Sequence, residues 1–212
     1  ATSVTLYGTV DAGYEGWSYG KDLSDLDNTF VQGGDSESNS RFGIRGQEDL
    51  GNGLAAIFTL EGNFNVDHGE TNAGQLFNRE TTVGLKGSFG EVKIGRARSQ
   101  MELALGGIVP GHRVADVDLY SVALTRHSNG LFYSYDNAGF SFGADVTTKG
   151  GANGNVDSAG VVTEGVTGEK VAYGARLGYT GQVGGNVTLL ARAAYQNDGT
   201  TSQPLSNGDT VK

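Results

Sequence analysis

The residues in this chain with the most chemical potential are charged and regularly spaced. Arg41, Arg45, Arg176 and Arg192 fall in stretches where polar and apolar residues alternate, and each takes the polar parity of its stretch. Glu61 shares that parity, while Glu102, Asp116 and Asp118 lie together in one long segment, 97–125. A row of guanidinium groups attracts and orients anions, and nearby carboxylates shape the field they make. Such a set binds or steers, and no catalytic set accompanies it. His68, His112 and His127 share no ligand spacing and lie in or beside loops, which argues against a metal centre or a general base. Asp116-Val117-Asp118 lacks the full oxygen-ligand loop that calcium requires. Gly84, Gly87 and Gly90 imitate a phosphate-binding spacing, but no helix follows them. Asn186-Val187-Thr188 is a glycosylation sequon in spelling only, because it falls within a strand pattern. No metal, cofactor or enzymatic nucleophile is expected.

The elements that must carry these charges are strands. From Val4, the even positions read Val4, Leu6, Gly8, Val10, Ala12 and Tyr14, against Thr5, Tyr7, Thr9 and Asp11. Successive strand side chains point to opposite faces, so this is a two-faced strand of about the 9 to 11 residues that cross a bilayer at a tilt. The pattern recurs around Arg41–Glu48, Leu54–Phe64, Asn78–Gly87, Glu91–Gly95, Leu131–Tyr135, Phe140–Val146, Lys170–Tyr179 and Val187–Gln196, which makes nine strands. One face carries Val, Leu, Phe and Tyr, and the other carries the arginines with Thr, Glu and Gln. Four arginines on a single face are informative because a midplane arginine facing lipid costs ~2 to 4 kcal/mol. Tyr14, Tyr133, Tyr179 and Tyr195 fall near strand ends, as an interfacial aromatic girdle requires.

Connections alternate in length. Short turns at 49–53, 88–90, 136–139 and 181–185 are interleaved with long polar loops at 18–39, 67–75, 97–125 and 149–168. That asymmetry suits a membrane barrel with turns at one rim and loops at the other. The composition agrees: 36 glycines but only 2 prolines among 212 residues fit neither a disordered nor a collagen-like chain. A net charge of −9 argues against a nucleic-acid partner, and the absence of cysteine excludes disulfides and thiolate metal sites. No apolar run approaches the ~20 residues of a membrane helix. Ala1-Thr2-Ser3 reads as a mature start after signal removal.

Particular strings narrow the class. Ser3-Val4-Thr5-Leu6-Tyr7-Gly8-Thr9-Val10-Asp11 resembles the first strand of the general porins of β-proteobacteria, including the Neisseria type. The run Ser40–Leu54, with Arg41-Phe42-Gly43-Ile44-Arg45-Gly46-Gln47-Glu48-Asp49-Leu50-Gly51, is similar to that family's most recognisable segment. Phe89-Gly90-Glu91-Val92-Lys93-Ile94-Gly95-Arg96 matches the strand that leads into its third loop. The resemblance is dense to about residue 146 and lies in the pattern beyond.

It implies an all-β transmembrane antiparallel barrel, a homotrimer of outer-membrane porins in contact with lipid and lipopolysaccharide, passing small hydrophilic solutes and ions without a cofactor. It implies about sixteen strands, so 1–212 is expected to be a single barrel domain, incomplete at its C-terminus, of a whole of roughly 340 to 380 residues. It further implies that the third loop, 97–125, folds into the lumen and narrows it, facing an arginine cluster at Arg41, Arg79 and Arg126. Parity agrees on Arg41, but puts Arg79 with the outward Val83 and Leu85 unless a bulge or a late strand start intervenes. Glu61 matches an acidic position of the family, and Glu102, Asp116 and Asp118 would charge the loop. A modest anion preference is expected. The rival readings are an enzyme within an outer-membrane barrel and a soluble β-sandwich binding module or adhesin, the latter hiding its apolar face against a second sheet.

Overall fold

The structure, a computed structural model, describes residues 2–15, 29–32, 40–66, 69–71, 75–105, 125–148, 155–156, 162–163, 170–185, 187–199, 203–204 and 210–211. The strands, in chain order, are β1 (Ser3–Thr9), β2 (Ala12–Glu15), β3 (Thr29–Gln32), β4 (Arg41–Gly51), β5 (Leu54–Asn63), β6 (Glu80–Gly87), β7 (Gly90–Arg98), β8 (Arg126–Asn137), β9 (Phe140–Thr147), β10 (Asn155–Val156), β11 (Val162–Thr163), β12 (Tyr173–Gln182), β13 (Thr188–Asn197), β14 (Gln203–Pro204) and β15 (Thr210–Val211). One short helix, α1 (Gln100–Leu105), follows β7. Nine strands form one sheet in the order β1-β4-β5-β6-β7-β8-β9-β12-β13, with every neighbour pair antiparallel. This is an open stretch of barrel wall in which β1 and β13 are the edges. The pairs β2–β3, β10–β11 and β14–β15 are separate small hairpins.

Register turns the alternating sequence into two chemical surfaces. Phe58, Val83, Ile94, Leu131, Val146 and Tyr173 align in one row across β5, β6, β7, β8, β9 and β12. The adjacent row on the opposite face reads Ile57, Gly84, Lys93, Phe132, Asp145, Gly174 and Gln196. The apolar rows are bare: Leu6 is 74% exposed, Ile94 56% and Leu177 58%. Among the described residues the buried apolar side chains are Phe132 and four alanines, so no second sheet covers the greasy face. A sandwich would press these rows into a dry interior, and that arrangement is absent among the described residues. Aromatic pairs tie neighbouring strands on the apolar face, with ring centroids 4.7 Å apart for Phe140–Tyr179 and 6.1 Å for Tyr173–Tyr195. The side chain of Tyr14 lies outside the described residues.

Several expectations need correction. The opening strand does not run unbroken to Tyr14. Ser40 Oγ takes the Asp11 N–H and donates to the Asp11 carbonyl, both at 2.9 Å. The ladder to β4 therefore stops at Thr9↔Arg41, and Ala12–Glu15 turns to pair with β3 inside what reads as loop 18–39. The fourth strand begins at Glu80 rather than Asn78, and the eighth at Tyr173 rather than Lys170. The segment 97–125 is not wholly irregular, since Ala97 and Arg98 still belong to β7 and α1 follows from Gln100. Asn186 lies outside the described residues.

Candidate functional site

The charged face gathers its groups in two places. The first spans β1, β4, β5 and the entry to β6. Tyr7, Gly43 and Glu61 are aligned in register across three strands. The Tyr7 hydroxyl donates to Glu61 Oε2 at 2.9 Å, passing over Gly43 to reach it. A Cβ on Gly43 would sit 2.7 Å from the Tyr7 ring carbon and hydroxyl, so the missing side chain is what allows the contact. Glu61 Oε1 accepts from Arg79 Nε at 2.6 Å, with the two side chains only 16% and 8% exposed. Because β6 starts at Glu80, Arg79 precedes the strand and escapes its parity, which brings the guanidinium to the Glu61 side. Arg126, at the start of β8, donates from Nε to the Arg79 carbonyl at 2.9 Å and lies within electrostatic reach of Arg96, Arg98 and Glu102. Arg41 acts electrostatically on the same Glu61 carboxylate, and Arg45 stacks over the Tyr7 ring at 5.1 Å. Beside this group, Lys93 bridges Glu80 at 2.9 Å and Glu91 at 3.3 Å.

The second place is the face of β9, β12 and β13, where α1 docks. The helix begins because Ser99 caps it: Ser99 Oγ accepts the Glu102 N–H at 3.3 Å, and the Ser99 carbonyl takes the Leu103 N–H. Three wall side chains hold it. Arg176 Nε donates to Gln100 Oε1 at 3.1 Å, Gln196 Oε1 accepts the Met101 N–H at 3.4 Å, and Arg192 donates to the Ala104 carbonyl at 3.1 Å. The last contact puts a cation on a terminal helix carbonyl, where it is favoured. A hollow of about 500 Å³ beside the helix is lined by Leu103, Asp136, Ser141, Arg176 and Arg192.

The structure thus joins Glu61, Arg79 and Arg126 directly, with Arg41 and Arg45 beside them. Arg176 and Arg192 lie on the same face, and each donates to α1. Glu102 lies on that helix. Asp116, Asp118, His68 and His112 fall outside the described residues. Sequence reasoning missed Tyr7, Ser99, Gln100 and Gln196, and gave His127 no structural part. Ser99-Gln100-Met101-Glu102 has the spelling of a helix capping box, a signal that was there to be read. The others are legible only once strands are in register.

Fold and site together define a class: a membrane-crossing antiparallel β wall whose lipid side is apolar and whose other side carries a charged network and a short helix docked against it. A sequence model of the Gram-negative porins matches residues 1–211, and the chain belongs to that family of the bacterial outer membrane. It is 35% identical over 160 residues to an outer membrane porin protein of Bordetella pertussis, covering 67% of this chain and 42% of that protein. To the outer membrane porin protein 32 of Delftia acidovorans it is 44% identical over 95 residues, 45% of this chain and 26% of the relative. To the major outer membrane protein P.IB of Neisseria meningitidis it is 37% identical over 100 residues, 47% and 29%. The chain thus matches less than half the length of these relatives. Among solved structures, the trimer form of OmpT from Vibrio cholerae superposes with a TM-score of 0.53 at 18% identity, over 92% of this chain and 58% of that one. Salmonella typhi OmpF gives a TM-score of 0.53 at 17% identity, over 91% and 53%. These two show likeness of fold.

Proposed function

We propose that this chain supplies wall and constriction to a passive diffusion channel for small hydrophilic solutes and ions, assembled as a homotrimer among outer-membrane lipid and lipopolysaccharide. The observation that carries the reading is the division of one sheet into a bare apolar face and a face bearing the Tyr7–Glu61–Arg79–Arg126 network with α1 docked beside it. In this reading the segment 97–125 narrows the lumen, opposite Arg41, Arg45, Arg79 and Arg126. Selectivity then follows from width and from the balance of charge at the narrowest point. Around Glu61, the cations Arg41, Arg45, Arg79, Lys93 and Arg126 outnumber the carboxylates Glu61, Glu80, Glu91 and Glu102 by one. The local field therefore favours anions modestly. Reconstitution into a planar bilayer tests this: discrete conductance steps are expected, with a reversal potential displaced toward the anion equilibrium potential in a salt gradient. Absence of steps, or a soluble monomer without conductance, would favour a binding module, and a displacement toward the cation potential would remove the anion preference.

A further inference from the structure

His127 is wholly buried, and both of its ring nitrogens face carboxylates: Nδ1 lies 2.5 Å from Asp145 Oδ2 and Nε2 lies 3.1 Å from Asp198 Oδ1. A carboxylate only accepts, so both contacts are satisfied together by a ring that carries a proton on each nitrogen. The imidazole thereby ties three separate stretches, since His127 is in β8, Asp145 in β9 and Asp198 just beyond β13. The connection continues. Gln196 Nε2 donates to the same Asp198 Oδ1 at 2.5 Å, and Gln196 Oε1 accepts the Met101 N–H of α1 at 3.4 Å. The two ends of an amide are chemically different. If the Gln196 amide turned over, its NH2 would face the Met101 N–H, donor against donor. Asp198 prevents that by accepting from Nε2, and His127 holds Asp198 in place. A buried ion cluster of the wall thus determines which end of Gln196 is offered to the helix. Charged groups near this junction include Arg176 and Arg192, which reach α1 through Gln100 and the Ala104 carbonyl, and Arg98, Arg126 and Glu102 beside the start of β8.

We propose that His127 is a positioning residue for α1, acting through Asp198 and Gln196 to seat the helix on the polar face of the wall and so to set the width of the channel. The consequence for conductance rests on the function proposed above; the seating of the helix does not. The test uses the absence of native cysteine. Ala104 is 2% exposed at the docked face of α1, so Ala104→Cys in the folded, detergent-purified protein reports the seat through its rate of maleimide labelling. Adding Gln196→Leu or Asp198→Ala is expected to speed labelling at least ten-fold while heat-modifiable migration of the barrel stays intact. Asp198→Asn keeps an oxygen to accept from Gln196 Nε2 and is expected to label at the parental rate. His127→Leu, which offers neither carboxylate a donor, should label fast as well, and parental labelling in a folded His127→Leu overturns the proposal; should it abolish folding, the Gln196 and Asp198 variants decide the matter. Parental labelling rates in folded Gln196→Leu, or equally fast labelling in Asp198→Asn and Asp198→Ala, would overturn the proposal. In planar bilayers, Gln196→Leu should raise or destabilise the unit conductance. If the parental protein shows no conductance at all, the channel reading fails, and labelling still decides whether the helix is seated this way.

Discussion

Glu61→Gln is the substitution whose two effects can be worked furthest. Glu61 accepts from both Arg79 Nε and the Tyr7 hydroxyl, and the Arg79 side chain is 8% exposed. Glutamine keeps an oxygen for Arg79 but removes the opposing charge, which weakens a charge-assisted bond by about 1 kcal/mol. Glu61→Leu removes both acceptors and leaves the guanidinium unpaired, for which ~3 kcal/mol or more is expected. Selectivity moves separately, because either variant removes one negative charge from the polar face. A unit charge about 8 Å from a passing ion in water is worth about 0.5 kcal/mol, reduced to about half of that by a Debye length of about 10 Å at 0.1 M salt. The effect has opposite sign for anion and cation, so their permeability ratio should shift roughly two-fold toward anions at 0.1 M and hardly at all at 1 M. The measurement is the reversal potential of Glu61→Gln at both salt concentrations, with urea unfolding in lipid vesicles for stability. An unchanged ratio at 0.1 M, a shift toward cations, or the same shift at 1 M would refute the placement of this carboxylate in the conducting path.

Three further substitutions probe the wall. Ile94→Arg, on the bare apolar row, should destabilise the vesicle-embedded protein by ~2 to 4 kcal/mol, whereas Gln47→Arg on the polar face should stay within about 0.5 kcal/mol in the same urea titration. Gly43→Ala should cost ~1 to 3 kcal/mol by driving the Tyr7 ring off Glu61. In that background Tyr7→Phe should then cost less than it does alone, as a double-mutant cycle would show. Ser99→Ala should loosen the start of α1 by about 1 kcal/mol and Ser99→Asp should restore it, read as the labelling rate of a cysteine at Ala104.

The wall was legible because a strand's period of two survives any tertiary context. Once Leu6, Ile44 and Leu60 occupy one parity, pairing can place them only on one face, and the structure aligns those three residues across β1, β4 and β5. The site was legible less evenly. Parity assigns a residue inside a strand, so it places Glu61 and Arg176 but sets Arg79 with the outward Val83 and Leu85, because it does not show that β6 begins only at Glu80. The break at Asp11 was hidden for a similar reason. It depends on a serine side chain taking over a backbone ladder from 29 residues away, and no local pattern announces such a contact. His127 shares no ligand spacing with another histidine, and its role depends on carboxylates 18 and 71 residues distant.

The glycine excess acquires a physical meaning at the same sites. A glycine within a strand gives up roughly 0.5 to 1 kcal/mol relative to alanine and offers nothing to pack, so an interior glycine calls for something that must come close. Gly43 is such a case, since the Tyr7 ring crosses it to meet Glu61. Gly143 is the second, paired with Arg176 on the face where α1 docks. A Cβ there would overlap Gln100 Oε1 and lie 2.8 Å from Arg176 Nε, breaking the contact that anchors the first residue of the helix. Both glycines stand in register beside the charged residue that a bulky neighbour must reach. The smooth places of the wall and its charged places are therefore one arrangement: guanidinium and carboxylate groups can be held by a ring or a helix laid flat against the sheet only where the adjoining strand presents no side chain.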